Sequence, residues 1–391
     1  MRSEIESAIK HEIVQVFGRP IVSSRDCIEL SDEIYQKTKS QLNFNTLRRF
    51  FGLVKAEYPP SQSTLTILSK YCGFHSTDDI YHIKQTVYHP GQVEPTSLLH
   101  YMVSLFDEMP AKESCDKTFL SLVRHTIKFL HQHPMLTDKF QSLVAKTING
   151  QSFYFEQFVN VDKLNFYYGS GLRYYLNEKR TAEGRIFAWS VSLFKEWLSG
   201  NNDKVLQYGE QIHREKYIPN RNLFIDCRYY TSLLLYSDAT GTPVEETLID
   251  LYKFYSSAGV QGHPHFEQLF YFECVVSEAL ILSGHYEDAM YYLGQAETRQ
   301  KNMQYCKYTT SLQNIKLLNA IACYKTGLHE NAVDIFNTIR PSDFFFISHK
   351  YYGIMYLGLA NELKRKHSRY NESLQTLVKE TGFERFKKEF I

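Results

Sequence analysis

Between positions 37 and 55 the chain gathers Lys37, Lys39, Asn43, Asn45, Thr46, Arg48, Arg49 and Lys55. Arg and Asn side chains pair bidentately with the edges of guanine and adenine, and lysines neutralise phosphates, so this set holds the donors needed to grip duplex DNA. No Asp or Glu lies between Glu33 and Glu57, so Lys37, Lys39, Arg48, Arg49 and Lys55 give that stretch a local charge of +5. The lysines are expected on phosphates, and Asn43, Asn45, Thr46, Arg48 and Arg49 at the groove. Five phosphate contacts give a salt slope of only about −4.5 in log K against log salt, so a dimer is expected to be required. The competing reading buries Leu47, Phe50 and Phe51 and leaves the two arginines merely solvated.

A second set, Arg228, Tyr229, Tyr271, Tyr305, Tyr308, Asn314 and Asn319, falls on the expected first helices of helical hairpins. At such positions polar and aromatic side chains can line a concave face that holds a peptide or a partner helix.

Catalytic patterns do not occur. There is no Gly-x-x-x-x-Gly-Lys-Ser/Thr, no Gly-x-Gly-x-x-Gly, no His-Glu-x-x-His and no Gly-x-Ser-x-Gly. Neither an enzyme nor a cofactor is expected. His131-Gln132-His133 and His263-Pro264-His265 lack Cys or acidic neighbours at ligand spacing and read as a helix end and a loop, so no metal is expected. The basic run from Lys364 to Arg369 reads as a solvated helix C-terminus. Seven cysteines, odd in number and never spaced Cys-x-x-Cys, suit a reducing compartment.

The elements that must position these residues are helices. With 391 residues, 43% of them hydrophobic and only 11 Pro and 19 Gly, the chain can bury large cores, and its apolar residues recur at spacings of three and four. The formal net charge of +1 gives no global field toward nucleic acid or anionic lipid, so charge-based binding has to be local. A charged opening and the lack of a long apolar stretch predict a cytoplasmic chain without a membrane partner. Pro and Gly between Tyr88 and Pro95 mark a domain boundary. The expected division is a head over 1–90, a connector or degenerate repeats over 91–180, and a repeat body over 181–391.

In the head, Ser31 is expected to cap a short helix carrying Ile34 and Thr38, and a second helix runs from Asn45 to Phe51 with a stop at Gly52. A third spans Ser63 to Phe74, and Ser76 caps a fourth. In the body, Gly200, Gly241, Gly284 and Gly327 recur at intervals of 41, 43 and 43, a period suited to stacked helical hairpins. Around the last two, Ser277 and Ala320 precede the Gly by seven, Ala289 and Ala332 follow it by five, and Leu293 and Phe336 by nine. Val205 and Glu246 stand at the corresponding Ala position of the other two units. Further helices are expected over Ser97 to Met109, Lys117 to His131 and Glu156 to Tyr175, and Phe383, Phe386 and Phe390 share a face that either seals the array or joins two protomers.

The order helix, turn, helix, then Pro60-Ser61 leading to Thr64-Leu65, resembles the helix-turn-helix of Cro and phage repressors over about 50 residues, without the usual Gly in the turn. The small and bulky positions of the body resemble the tetratricopeptide repeat. Together they are similar to the peptide-responsive transcription regulators of Gram-positive bacteria. The resemblance implies an all-α fold, a helix-turn-helix-like head on an α-solenoid of repeat-like hairpins. It also implies a DNA-binding homodimer whose repeats bind a peptide or protein. The alternative is a repeat scaffold that does not bind DNA.

Overall fold

The computed structural model describes residues 2–17, 19–56, 58–72, 95–110, 116–219, 222–257, 271–302, 311–363 and 368–390. All regular structure among them is helical. The chain divides into two compact units, Met1–Leu98 and Leu99–Ile391. No described helix is long and apolar enough to cross a membrane.

The first unit holds α1 (Arg2–Phe17), α2 (Ser24–Thr38), α3 (Phe44–Phe50) and α4 (Gln62–Tyr71). Ile9, Ile13, Cys27, Leu30, Ile34, Leu47, Phe50, Leu65 and Leu68 meet in its core. α2 starts earlier than the sequence pattern predicts. Its cap is Ser23, whose hydroxyl accepts from the Asp26 N–H at 3.2 Å, while the Asp26 carboxylate accepts from the Ser23 N–H at 2.8 Å. This reciprocal pair satisfies two amide donors at once and outcompetes the expected cap at Ser31. Ser31 instead lies inside the helix, and its hydroxyl donates to the Leu42 carbonyl at 2.5 Å, tying α2 to the entry of α3.

The turn without a Gly has a defined solution. Lys39 takes the left-handed conformation at φ 55° and its N–H donates to the Tyr35 carbonyl, closing α2. α4 is capped by Ser61, and its last residue, Tyr71, donates its hydroxyl to Glu33 on α2 at 2.7 Å. Gly73, Phe74 and the expected fourth helix at Ser76 lie outside the described residues.

The second unit takes in most of α5 (Pro95–Asp107), then α6 (Lys117–Gln132), α7 (Pro134–Val144) and α8 (Tyr167–Glu178). Phe106, Phe119, Phe140, Phe153 and Tyr154 form a chain of mostly edge-on rings with centroids 4.6–5.8 Å apart. The expected single helix over Glu156 to Tyr175 is not formed. A π-helical turn, Gly150–Gln157, and a short turn, Val161–Lys163, precede α8. Tertiary bonds take the backbone there: the Asp162 N–H donates to the Ile347 carbonyl at 3.0 Å, a partner a continuous helix could not reach.

Five helical hairpins follow among the described residues. They pair α9 (Ala182–Leu198) with α10 (Asn202–Glu215), α11 (Leu223–Thr240) with α12 (Glu245–Tyr255), and α13 (Tyr271–Leu282) with α14 (Tyr286–Asn302). The last two are α15 (Leu312–Lys325) with α16 (His329–Asn337), and α17 (His349–Glu362) with α18 (Ser368–Thr381). First helices of successive hairpins pack side by side. Gly200, Gly241, Gly284 and Gly327 each follow a first helix at φ between 67° and 85°, which explains why glycine marks the period. Ser277, Ala289, Leu293, Ala320, Ala332 and Phe336 are all buried, as is Val205, whereas Glu246 is exposed.

The short α19 (Arg385–Phe390) closes the chain. Phe383 and Phe386 are buried against Tyr351 with centroids 6.0 Å away, so these two rings seal the body's own core. The Phe390 side chain lies outside the described residues. Arg385 stacks on Trp197 at 3.8 Å and pairs with Asp238 at 2.6 Å.

Candidate functional site

α3 is only seven residues long, and Leu47 and Phe50 anchor it in the core of the first unit. The opposite side therefore carries Asn45 and Arg49, one turn apart and both exposed. Asn43 is exposed as well and serves as the cap of α3, its Oδ1 accepting from the Asn45 N–H at 2.8 Å. Thr46 is half-buried. The two arginines differ. Arg49 is exposed, whereas Arg48 is half-buried, donates to the Asn45 Oδ1 at 3.1 Å, and has an Nε sealed from solvent without an acceptor.

Lys37, Lys39 and Lys55 are exposed. Lys37 lies over the Tyr71 ring at 4.7 Å, and Lys39 stands on the left-handed residue that joins α2 to the turn. Sequence reading missed Lys10, over the Phe50 ring at 5.3 Å, and the exposed Lys70 near the end of α4. Neither falls within the acid-free stretch that drew attention to the others.

α2 carries Asp26, Glu29, Asp32 and Glu33. Asp26 is held at about 2, first by the Ser23 hydroxyl and then by the Val22 and Ser23 amides and by Arg19. Arg19 bridges Asp26 and Glu29.

In the second unit, Arg228, Tyr271 and Asn314 are brought together, but not on an open surface. All three are buried and line one small cavity with Gln157, Glu278 and Ser348. Arg228 is 3% exposed and donates from Nη2 to the Tyr271 hydroxyl at 3.1 Å. Its Nε and Nη1 have no acceptor, and Gln157 Oε1 and Glu278 Oε1 have no donor. Burial pushes Glu278 up to about 6 against the pull of Arg228.

Asn314 accepts from the Phe345 N–H at 3.3 Å. Tyr229 is half-buried between Tyr217 and Tyr230, and Asn319 donates to Glu297 at 2.7 Å, so these two sit apart from the cavity. Tyr305, Tyr308, His263 and His265 lie outside the described residues, as do Lys364 to His367 of the basic run. Glu278 was absent from the sequence candidates, although it follows Tyr271 by seven residues and so shares its helix face.

His131 is no lone surface ligand. Its Nε2 lies 2.9 Å from the Asn160 amide nitrogen, and burial followed by Lys163 lowers its pKa. No group of three or more His, Cys, Asp or Glu among the described residues is arranged to hold a metal ion. No known family matches this chain, and neither a curated protein nor a solved structure matches it.

Proposed function

We propose that the chain is a DNA-binding transcription regulator whose first unit grips a duplex through α3 and whose hairpin body, similar to tetratricopeptide repeats, receives a peptide or protein partner or a second protomer. The observation that carries this reading is the exposed Asn45 and Arg49 pair on α3, flanked by exposed Lys37, Lys39 and Lys55 with no acid between Glu33 and Glu57. Arg49 and Asn45 reach base edges, with Arg48 orienting Asn45 through the Oδ1 it holds. The lysines lie on phosphates.

With three lysines on phosphates per unit, the expected salt slope is about −2.7, too shallow for tight monomeric binding. Two units on one duplex fit this better, and the chain acts from the cytoplasm as a homodimer. Selection of bound fragments from a random duplex pool by the full chain tests the reading. Enrichment of a sequence with two half-sites supports it, and recovery of an unenriched pool contradicts it.

One observation favours a scaffold without DNA binding as the second reading: the half-buried Arg48 leaves a single exposed guanidinium on α3. On that account the same exposed face meets a protein. A duplex pool then goes unbound while the body still captures its partner.

A further inference from the structure

A groove of about 640 Å³ opens between the start of α15 and the loop from α16 to α17, with Arg124 of α6 in its lining. That volume falls in the roughly 300–1,000 Å³ range of clefts that hold ligands. Its wall is pinned by side chains of α15. The Ser311 hydroxyl donates to the Asp343 carbonyl at 2.6 Å, Gln313 Oε1 accepts from the Arg340 N–H at 2.8 Å, and Asn314 Oδ1 accepts from the Phe345 N–H at 3.3 Å. These bonds hold residues 340–345 in place before any ligand arrives, which lowers the ordering cost of binding.

The charge beside this groove is one-sided. Arg124 and Lys128 stand one turn apart on α6, both over the Phe346 ring, at 5.3 and 5.7 Å. Like charges at this spacing repel, and neither cation pairs with an acid among the described residues. No Asp or Glu occurs between Asp116 and Asp138 to offset them. The one acid in the lining, Asp343, is already engaged: its Oδ2 pairs with Arg340 at 2.9 Å and its Oδ1 accepts from the Ser342 hydroxyl at 3.1 Å. At the floor lies Gln313, only 7% exposed, whose Nε2 donates to none of the described residues.

We propose that this groove docks an acidic peptide segment of a partner protein. A carboxylate of the segment pairs with Arg124 and Lys128, an adjoining apolar side chain packs on the half-buried Leu312 and Phe346, and a peptide carbonyl accepts from Gln313 Nε2. Single-stranded nucleic acid fits less well, because stacking of bases needs an open ring face. Phe344 and Phe345 are buried, and both cations lie over Phe346.

This inference rests on the reading of the body as the partner-receiving half, and not on DNA binding by the head. A random heptapeptide library is selected on the immobilised full chain, as parent, as Arg124→Glu/Lys128→Glu and as Gln313→Glu. The parent is expected to enrich peptides with Asp or Glu beside a large apolar residue. The double reversal is expected to recover those peptides at least tenfold less well and to enrich Lys and Arg in their place. Gln313→Glu keeps the acceptor for the Arg340 N–H but removes the amide donor, and a several-fold loss is expected. Lys128→Glu alone, at an exposed position, serves if the double variant does not fold. Acidic peptides recovered equally by the reversed variants overturn the proposal, as does a dT oligonucleotide that binds through Arg124 and Lys128 where acidic peptides do not. Enrichment of neutral or basic peptides indifferent to both cations overturns it while leaving the body as a peptide receiver, and no enrichment at all removes both.

Discussion

The Asp162 carboxylate caps α17 across 189 residues, its Oδ1 accepting from the Tyr351 N–H and its Oδ2 from the Lys350 N–H, both at 2.9 Å. It thereby supplies the acceptors that the start of α17 lacks, since Ser348 makes no side-chain cap bond. Burial raises the Asp162 pKa even so. Replacing Asp162 by Ala strands two amides in a buried setting and is expected to cost about 2 kcal/mol. Urea unfolding of the second unit reads this as a lower midpoint with an unchanged slope, and Asp162→Asn recovers part of the loss.

Lys39 serves two ends that conflict. Its left-handed backbone costs a non-glycine residue stability, and its exposed ammonium serves the proposed duplex contact. Lys39→Gly is therefore expected to stabilise the first unit by about 1 kcal/mol while flattening the salt slope of duplex binding by about one ion. A thermal melt and a salt titration check the two halves separately.

Gly209 on α10 faces the Tyr236 ring of α11 so closely that a Cβ would lie 2.0 Å from Cδ2. That ring also packs against His213 at 5.1 Å, which restricts how it can give way. Gly209→Ala is expected to destabilise the second unit by about 2 kcal/mol through overpacking, despite the better helix propensity of Ala. Gly294, on another second helix, has nothing within 4 Å of an added Cβ, and Gly294→Ala should be neutral or slightly stabilising.

Glu278 sets a pH dependence of known sign. Its pKa rises from 4.5 to about 6 on folding, so the folded chain holds the proton more tightly. The stability this provides is fully present below about 4.5 and is lost as pH rises through 6, an effect on the order of 2 kcal/mol. Glu156 and Asp162 are raised as well, whereas Asp26 and Glu215 are lowered, so the profile of the whole chain mixes both signs. The difference between parent and Glu278→Gln in melts from pH 4.5 to 7 isolates the single group, and parallel curves would remove Glu278 as the source.

Local pattern carried much of the helical architecture. Gly200, Gly241, Gly284 and Gly327 were legible because a helix that must reverse needs a left-handed residue at its end. The buried small residues at 277, 289, 320 and 332 were legible because two helices in close contact admit little else. The start of α2 was misread because Ser31 is followed at once by Asp32 and Glu33, acids suited to a first turn, whereas Ser23 has Asp26 three residues on and that pair closes reciprocally.

The break at 158–162 was not legible, since its cause is Ile347 and Tyr351 far along the chain. Arg228 looked like a groove residue for a similar reason. Nothing nearby in sequence announces that Phe194, Tyr271 and Glu278 enclose it.

The account depends most on α3 meeting a duplex through Asn45 and Arg49. The direct measurement is fluorescence anisotropy of a labelled duplex pool titrated with the full chain, as parent and as the Asn45→Ala/Arg49→Ala double variant, at several KCl concentrations. The account predicts binding by the parent that weakens with salt at about −2.7 per head, and at least a tenfold loss in the variant with unchanged thermal unfolding. A parent that does not bind, or a variant that binds as tightly as the parent, contradicts it.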